Sequence, residues 1–208
     1  MAAERAAGAD PTPDEVRAFW AFLTARYGTT VVDKADAAEM ALVGAFLDRI
    51  GVMDKARFLA NYTTTIGRRI YAPFALGEGP DLWHQMVVAV HEHQHVEQLD
   101  RDGWFAFVTG YLLRTSDRAR YETEGYRTHL ELHFWRTGAM LPAGKLAAKL
   151  RAYGCTAEDV AVAEKVLRLS EPAIRQGAAL TPATRAALSW LNAHAAHLRL
   201  PSATGGGA

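Results

Sequence analysis

The chain has 208 residues, half of them hydrophobic, enough for one sizeable core and too few for two full domains. Lysine plus arginine and aspartate plus glutamate number 23 each, so no summed field draws the chain to nucleic acid or to an anionic membrane, and neither is expected as a partner. One cysteine, Cys155, excludes an internal disulfide, and residues 1–15 hold no apolar secretory segment, so a reducing cytoplasm is the expected compartment. The longest apolar run, residues 104–113, is interrupted by Thr109 and Gly110 and falls well short of the roughly 20 residues that span a bilayer, so the chain is expected to be soluble.

Residues 1–12 are Ala/Gly-rich and aperiodic, and residues 201–208 are Ser/Thr/Gly; both ends are expected to be disordered. Between them the pattern predicts a single domain over 13–200, with a core over 63–136 and a C-terminal helical part over 143–198. Pro13, Asp14 and Glu15 mark a helix start, and Val16, Phe19, Trp20 and Leu23 follow at helical spacing. A second helix is predicted over 35–49, and 63–74, with its Thr, Ile and Tyr before the turn at Gly77, Gly79 and Pro80, reads as a strand. Helices are then predicted over 81–100, 103–113 and 117–136, and three more over 143–153, 157–169 and 182–197. The predicted fold class is mainly α with a minor β component (α+β).

Six of the eight histidines lie between positions 84 and 133, three of them in His91-Glu92-His93-Gln94-His95. On a helix His91 and His95 fall about 40° apart and can converge on one metal, whereas His93 points to the opposite side. His84, His91, Gln94, His95 and Gln98 form one narrow polar stripe on an otherwise apolar helix, and such a stripe demands partners. Neutral imidazoles at i and i+4 with Glu between them are the geometry that zinc hydrolases use. For a third ligand, Tyr121-Glu122-Thr123-Glu124-Gly125-Tyr126 offers two carboxylates. Glu122 shares its face with Tyr126, His129 and His133 and faces inward; Glu124 shares a face with Arg120, Arg127 and Glu131 that reads as solvated. Glu122 is the preferred candidate and Glu124 the alternative.

The run His91-Glu92-His93-Gln94-His95-Val96-Glu97-Gln98, followed by an aromatic-rich helix and then Tyr121 to Tyr126, resembles the gluzincin metallopeptidases, and more narrowly bacterial metallopeptidase-like proteins with HExxHVxQ and a later YExEAY-type segment. The resemblance covers residues 63–136. It implies a zincin-like active-site helix with additional C-terminal helices, Zn2+ held by His91, His95 and Glu122, Glu92 as general base, and a peptide or protein substrate. This chain carries Gly125 where alanine is more usual, and Tyr126 where several gluzincins carry an aspartate that supports a zinc histidine.

Three protein ligands leave zinc a position for water, and a carboxylate beside it can accept the proton as the water attacks a carbonyl. Tyr126 and His129 lie on the Glu122 face and either could donate to the oxyanion, or serve as core tyrosine and supporting contact. The run 68–74 could be an edge strand that receives a peptide by β-addition. Two other readings compete. One is a helical-bundle metal protein using His91, His95 and His129 or His133; the other is a non-catalytic interaction module with a structural zinc. Arg114, Arg118 and Arg120 read as a solvated basic cluster, Trp104, Phe105, Phe107 and Tyr111 as core, His194 and His197 as contacts of helix-end carbonyls, and Cys155 as no nucleophile.

Overall fold

The structure, a computed structural model, describes residues 8–34, 37, 40 and 63–200. The helix expected over 35–49 lies almost wholly outside these residues, as do 1–7 and 201–208. Helix α1, Pro13–Tyr27, starts at the predicted place for a local reason. The Thr12 hydroxyl accepts the Glu15 amide, the Glu15 carboxylate accepts the Thr12 amide, and Pro13 fills a first-turn position that has no helical amide bond to lose. Residues 8–12, expected to be disordered, are held: the Gly8 amide donates to the His197 carbonyl at 2.7 Å and Asp10 pairs with Arg136 at 2.7 Å.

Three short strands follow, β1 Thr30–Asp33, β2 Thr64–Ile66 and β3 Arg69–Ala72, in the order β1-β3-β2. β1 runs parallel to β3, and β2 runs antiparallel to it. The single strand expected over 63–74 is therefore a hairpin that turns at Gly67, whose φ of 61° favours glycine. β3 is the central strand among the described residues, so residues 69–71 are paired on both sides and do not offer the free edge expected of the run 68–74. β1 was not anticipated, although Thr29 to Val32 is a β-branched run bounded by Gly28.

The rest is helical: α2 Leu82–Asp102, α3 Trp104–Leu113, α4 Thr115–Thr137, α5 Ala143–Ala148 running on as a 3-10 turn Lys149–Tyr153, α6 Ala157–Arg175 and α7 Pro182–His194, closed by a 3-10 turn Ala196–Leu198. The chain is mainly α with a minor β component. α6 passes its expected end at Leu169 because the buried stripe Val160, Ala163, Leu167 continues to Ile174. No helix of the described residues is long and apolar enough to cross a membrane.

Two apolar clusters flank a central helix pair. One joins α1, α2, β3 and α7 through Phe19, Trp20, Ile70, Val90 and Leu191. The other joins α4, α5 and α6 through Leu130, Leu146, Leu150 and Leu167. Between them α2 and α4 pack antiparallel, with Gln98 reaching Tyr121 at one end and Trp83 stacked on Trp135 at the other. Several polar side chains expected to face solvent are drawn into this frame. Arg118 is buried and donates to the carbonyls of Tyr111, Leu112 and Tyr153, which ties the end of α3 to the α5 segment. Glu131 is buried and accepts the Leu180 and Thr181 amides and the Thr181 hydroxyl at the head of α7. Conversely, Trp104 and Phe105, expected in the core, are exposed, and only Phe107 and Tyr111 of that helix turn inward to the histidines. His194 packs on the Trp190 ring and His197 pairs with Glu15 at 3.1 Å.

Candidate metal centre

The α2/α4 seam is polar at its middle. His91, His95 and Glu122 are all buried there, and one ligand atom from each lies within 4.8 Å of the others. His91 Nε2 and His95 Nε2 are 3.1 Å apart; Glu122 Oε2 is 3.4 Å from the first and Glu122 Oε1 is 3.6 Å from the second. Helix geometry accounts for the convergence: i and i+4 share a face on α2, and Glu122 comes from the helix packed against that face.

The far side of each imidazole is also held. His95 Nδ1 donates to Gln98 Oε1 at 2.7 Å, which fixes the tautomer and leaves Nε2 a bare lone pair toward the cluster. Gln98 Nε2 in turn donates to the Tyr121 carbonyl and to Glu124 Oε2. His91 Nδ1 faces His129 Nε2 at 3.1 Å. The Tyr111 hydroxyl donates to Glu122 Oε1 at 2.5 Å, while Glu122 Oε2 is buried without a hydrogen-bond partner. A buried carboxylate oxygen 3.4 Å from one imidazole nitrogen and close to the lone pair of a second suits a cation, either a proton on His91 or a metal ion. The three side chains fit a metal ion.

The electrostatics agree. Burial disfavours a charged His91, yet hydrogen bonding and charge from Glu122, with Glu92 behind it, outweigh burial and raise its pKa above the usual range. Burial likewise works against a charged Glu122, and the two histidines together with Tyr111 overcome it and lower its pKa. Burial, reinforced by Glu122, pushes the Tyr111 hydroxyl well up, so it stays a donor.

The absence of a side chain at Gly125 is used by His91. A Cβ placed there would stand 2.5 Å from Cε1 and 2.7 Å from Nε2 of His91, so the imidazole lies flat against the α4 backbone in space that a methyl group would fill. The Tyr126 ring packs 5.3 Å from both His91 and His129. His129 takes the contact with the far nitrogen of His91. Burial, with the charges of His91 and Lys149, keeps the His129 pKa well below its ordinary value, so that ring is neutral.

Glu92 does not join the three. It is buried on the next direction of α2, its Oε2 accepts the Thr65 hydroxyl at 2.7 Å from β2, and it lines a cleft of about 1030 Å³ together with His91, Tyr126 and His129. Lys34 is buried near it, with a pKa pushed down to about 8 by burial against the opposing charge of Glu92. His93 points away, as predicted from the wheel: its Nδ1 donates to the Ala89 carbonyl at 2.6 Å and its Nε2 accepts the Thr29 hydroxyl at 3.0 Å. Glu124 is not on a solvated face; it accepts Gln94, Gln98 and Arg101 and anchors the chain of contacts behind His95. His133 is half-buried, away from the cluster. The contacts that sequence reasoning did not supply are Thr65 on Glu92 and Tyr111 on Glu122. The second had a signal in the Phe107/Tyr111 pair at i, i+4; the first had none, since β2 meets α2 only in the folded chain. Comparisons with protein-family models, with curated proteins and with solved structures find no match for this chain.

Proposed function

We propose that the protein is a zinc-dependent hydrolase of peptide bonds, with His91, His95 and Glu122 as ligands and Glu92 as general base. The observation that supports it is positional: a buried His/His/Glu cluster with a donorless carboxylate oxygen, and a separate carboxylate, Glu92, in the cleft beside it. Two imidazoles and one carboxylate are a donor set that suits zinc, which would supply a Lewis acid and lower the pKa of water toward about 7. Glu92, oriented by the Thr65 hydroxyl, accepts the proton of the attacking water and returns it to the leaving nitrogen. Tyr111 holds Glu122, and Gln98 and His129 hold the two imidazoles, so the ligand atoms are preset. Tyr126 forms part of the cleft wall and its hydroxyl meets Tyr153; His129 contacts His91 and so supports it.

The helical-bundle alternative is less well supported, because His129 addresses His91 from Nδ1, the opposite edge of the ring from the Nε2 that faces His95. A structural site would carry a fourth protein ligand, and among the described residues no further His, Cys, Asp or Glu joins the three. The test is Glu92→Gln at matched zinc content. Zinc binding and thermal stability are expected to persist while hydrolysis of a peptide library falls by a factor on the order of 10² to 10⁴. Undiminished hydrolysis by the variant overturns the role of Glu92, and no hydrolysis by the zinc-loaded wild type overturns the proposed reaction.

A further inference from the structure

The chain as a whole is neutral, but the cleft beside the cluster is not. Its wall formed by α5 and the following 3-10 turn presents Lys145, Lys149 and Arg151, and the only carboxylate among its described lining residues is Glu92. Lys145 and Lys149 stand one helical turn apart on the same face. Among the described residues none of these three cations forms an ion pair; the recorded contact is Lys149 Nζ over the Tyr126 ring at 5.5 Å, and that ring packs 5.3 Å from His91. The ammonium of Lys149 is therefore two ring contacts away from a proposed metal ligand.

Lys145, Lys149 and Arg151 are exposed, but they share one wall of a concave cleft, and clustered like charges there attract an anion more strongly than the same charges scattered over an open surface. Three are too few for a nucleic-acid backbone. A peptide that places a carbonyl at the cluster advances about 3.5 Å per residue, so the group it presents to Lys149 belongs to a residue close to the bond being attacked.

Resting on the hydrolase reading above, we propose that this wall is a carboxylate subsite: the substrate is a peptide bearing a negative charge near the scissile bond, held by Lys149 with Lys145 and Arg151. The carboxylate has two sources, a free C-terminus or an acidic side chain, and three peptides separate them: acetyl-tetra-alanine as the free acid, its C-terminal amide, and the amide with glutamate in the third position. Affinities are measured by calorimetry on the zinc-loaded, full-length Glu92→Gln protein, where no turnover is required. The free acid, the glutamate amide or both bind about tenfold more tightly than the neutral amide, as expected for partly exposed ion pairs, and Lys149→Gln removes most of that preference while Lys149→Arg keeps it. Equal affinities, or no binding of either acid form at millimolar concentration, overturn the proposal. So does a preference that survives in the Lys145→Gln/Lys149→Gln/Arg151→Gln variant, since the carboxylate then goes to the metal. Hydrolysis is scored separately with wild type: a charge preference in binding without cleavage sinks the reaction and leaves the subsite standing, and cleavage without a charge preference does the reverse.

Discussion

Gly125→Ala puts the tightest contact of the site under test. The added Cβ would sit 2.5 Å from His91 Cε1, and carbon atoms need about 3.5 Å, so either the imidazole or the α4 backbone must yield by about 1 Å. A zinc ligand has no such latitude, because bond lengths hold to within about 0.2 Å. Overpacking of this kind costs about 1–3 kcal/mol, and it falls on the zinc-bound form, in which the ring cannot turn aside. Zinc affinity is therefore expected to fall by roughly fivefold to 150-fold. The metal-free protein behaves differently, since alanine for glycine inside a helix stabilises by about 0.5–1 kcal/mol and partly offsets the strain. The assay is zinc competition against a chromophoric chelator, paired with thermal unfolding in the presence and absence of zinc. Zinc affinity within about twofold of wild type, together with a raised melting temperature, would refute the argument that His91 is seated against the Gly125 backbone.

Replacing either residue behind an imidazole, His129→Ala or Gln98→Leu, should weaken zinc by about 10-fold to 100-fold with the fold intact, read by the same competition; an unchanged affinity would show that these contacts do not orient the ligands. Glu122→Ala should abolish tight zinc binding, whereas Glu124→Ala, which removes the acceptor of Gln94, Gln98 and Arg101 but no proposed ligand, should weaken it modestly; the reverse order would exchange their roles. Burial first, offset in part by the Ala89 carbonyl, takes the His93 pKa down to about 4 from 6.5, so the unfolded chain binds the extra proton. The stability tied to neutral His93 is present above pH 6.5 and is lost as pH falls toward 4, up to about 3 kcal/mol, measurable by urea unfolding of zinc-free protein at a series of pH values; a flat profile through that window would count against its burial.

The parts of the fold that local signals control were legible in the sequence. The first helix is written in Pro13, Asp14 and Glu15, and the two seam helices in their polar and apolar stripes, because helix-start residues and 3.6-residue periodicity need no knowledge of what lies across the fold. Likewise His91, His95 and Glu122 could be chosen from their faces alone, and all three are buried together. What failed depended on distant partners. Arg118 looked solvated until three carbonyls from α3 and the α5 segment converged on it, and Glu131 until the head of α7 arrived. The 63–74 run was extended as expected, yet its central place follows from β1 pairing with it across 39 residues of chain, Thr30 to Arg69. Gly125 stood out only as a departure from the alanine that the resemblance leads one to expect, and its use appears only where the His91 ring crosses α4.

The same convergence fixes how metal uptake must depend on pH. Without a metal, the pocket places a bare imidazole nitrogen of His95, His91 Nε2 and a donorless carboxylate oxygen around one point, and the cation available from water is a proton. His91 is where it resides: burial opposes the charge, but Glu122 and Glu92 raise the pKa above the ordinary value of 6.5. A metal needs that nitrogen unprotonated, so uptake must expel the proton. At pH 6, below the raised pKa, most molecules carry it, and zinc binding is expected to release about one proton, with affinity rising about tenfold per pH unit. Above the folded pKa the slope from this group vanishes. Calorimetric titration with zinc at pH 6 in buffers of different ionisation enthalpy counts the released protons directly. The count should drop in Glu122→Gln, where the charge that holds the proton on His91 is gone, even if the residual affinity is measurable only at high zinc. A wild-type count near zero at pH 6 would mean that His91 is already neutral, and the balance of Glu122 charge against burial would have to be drawn the other way.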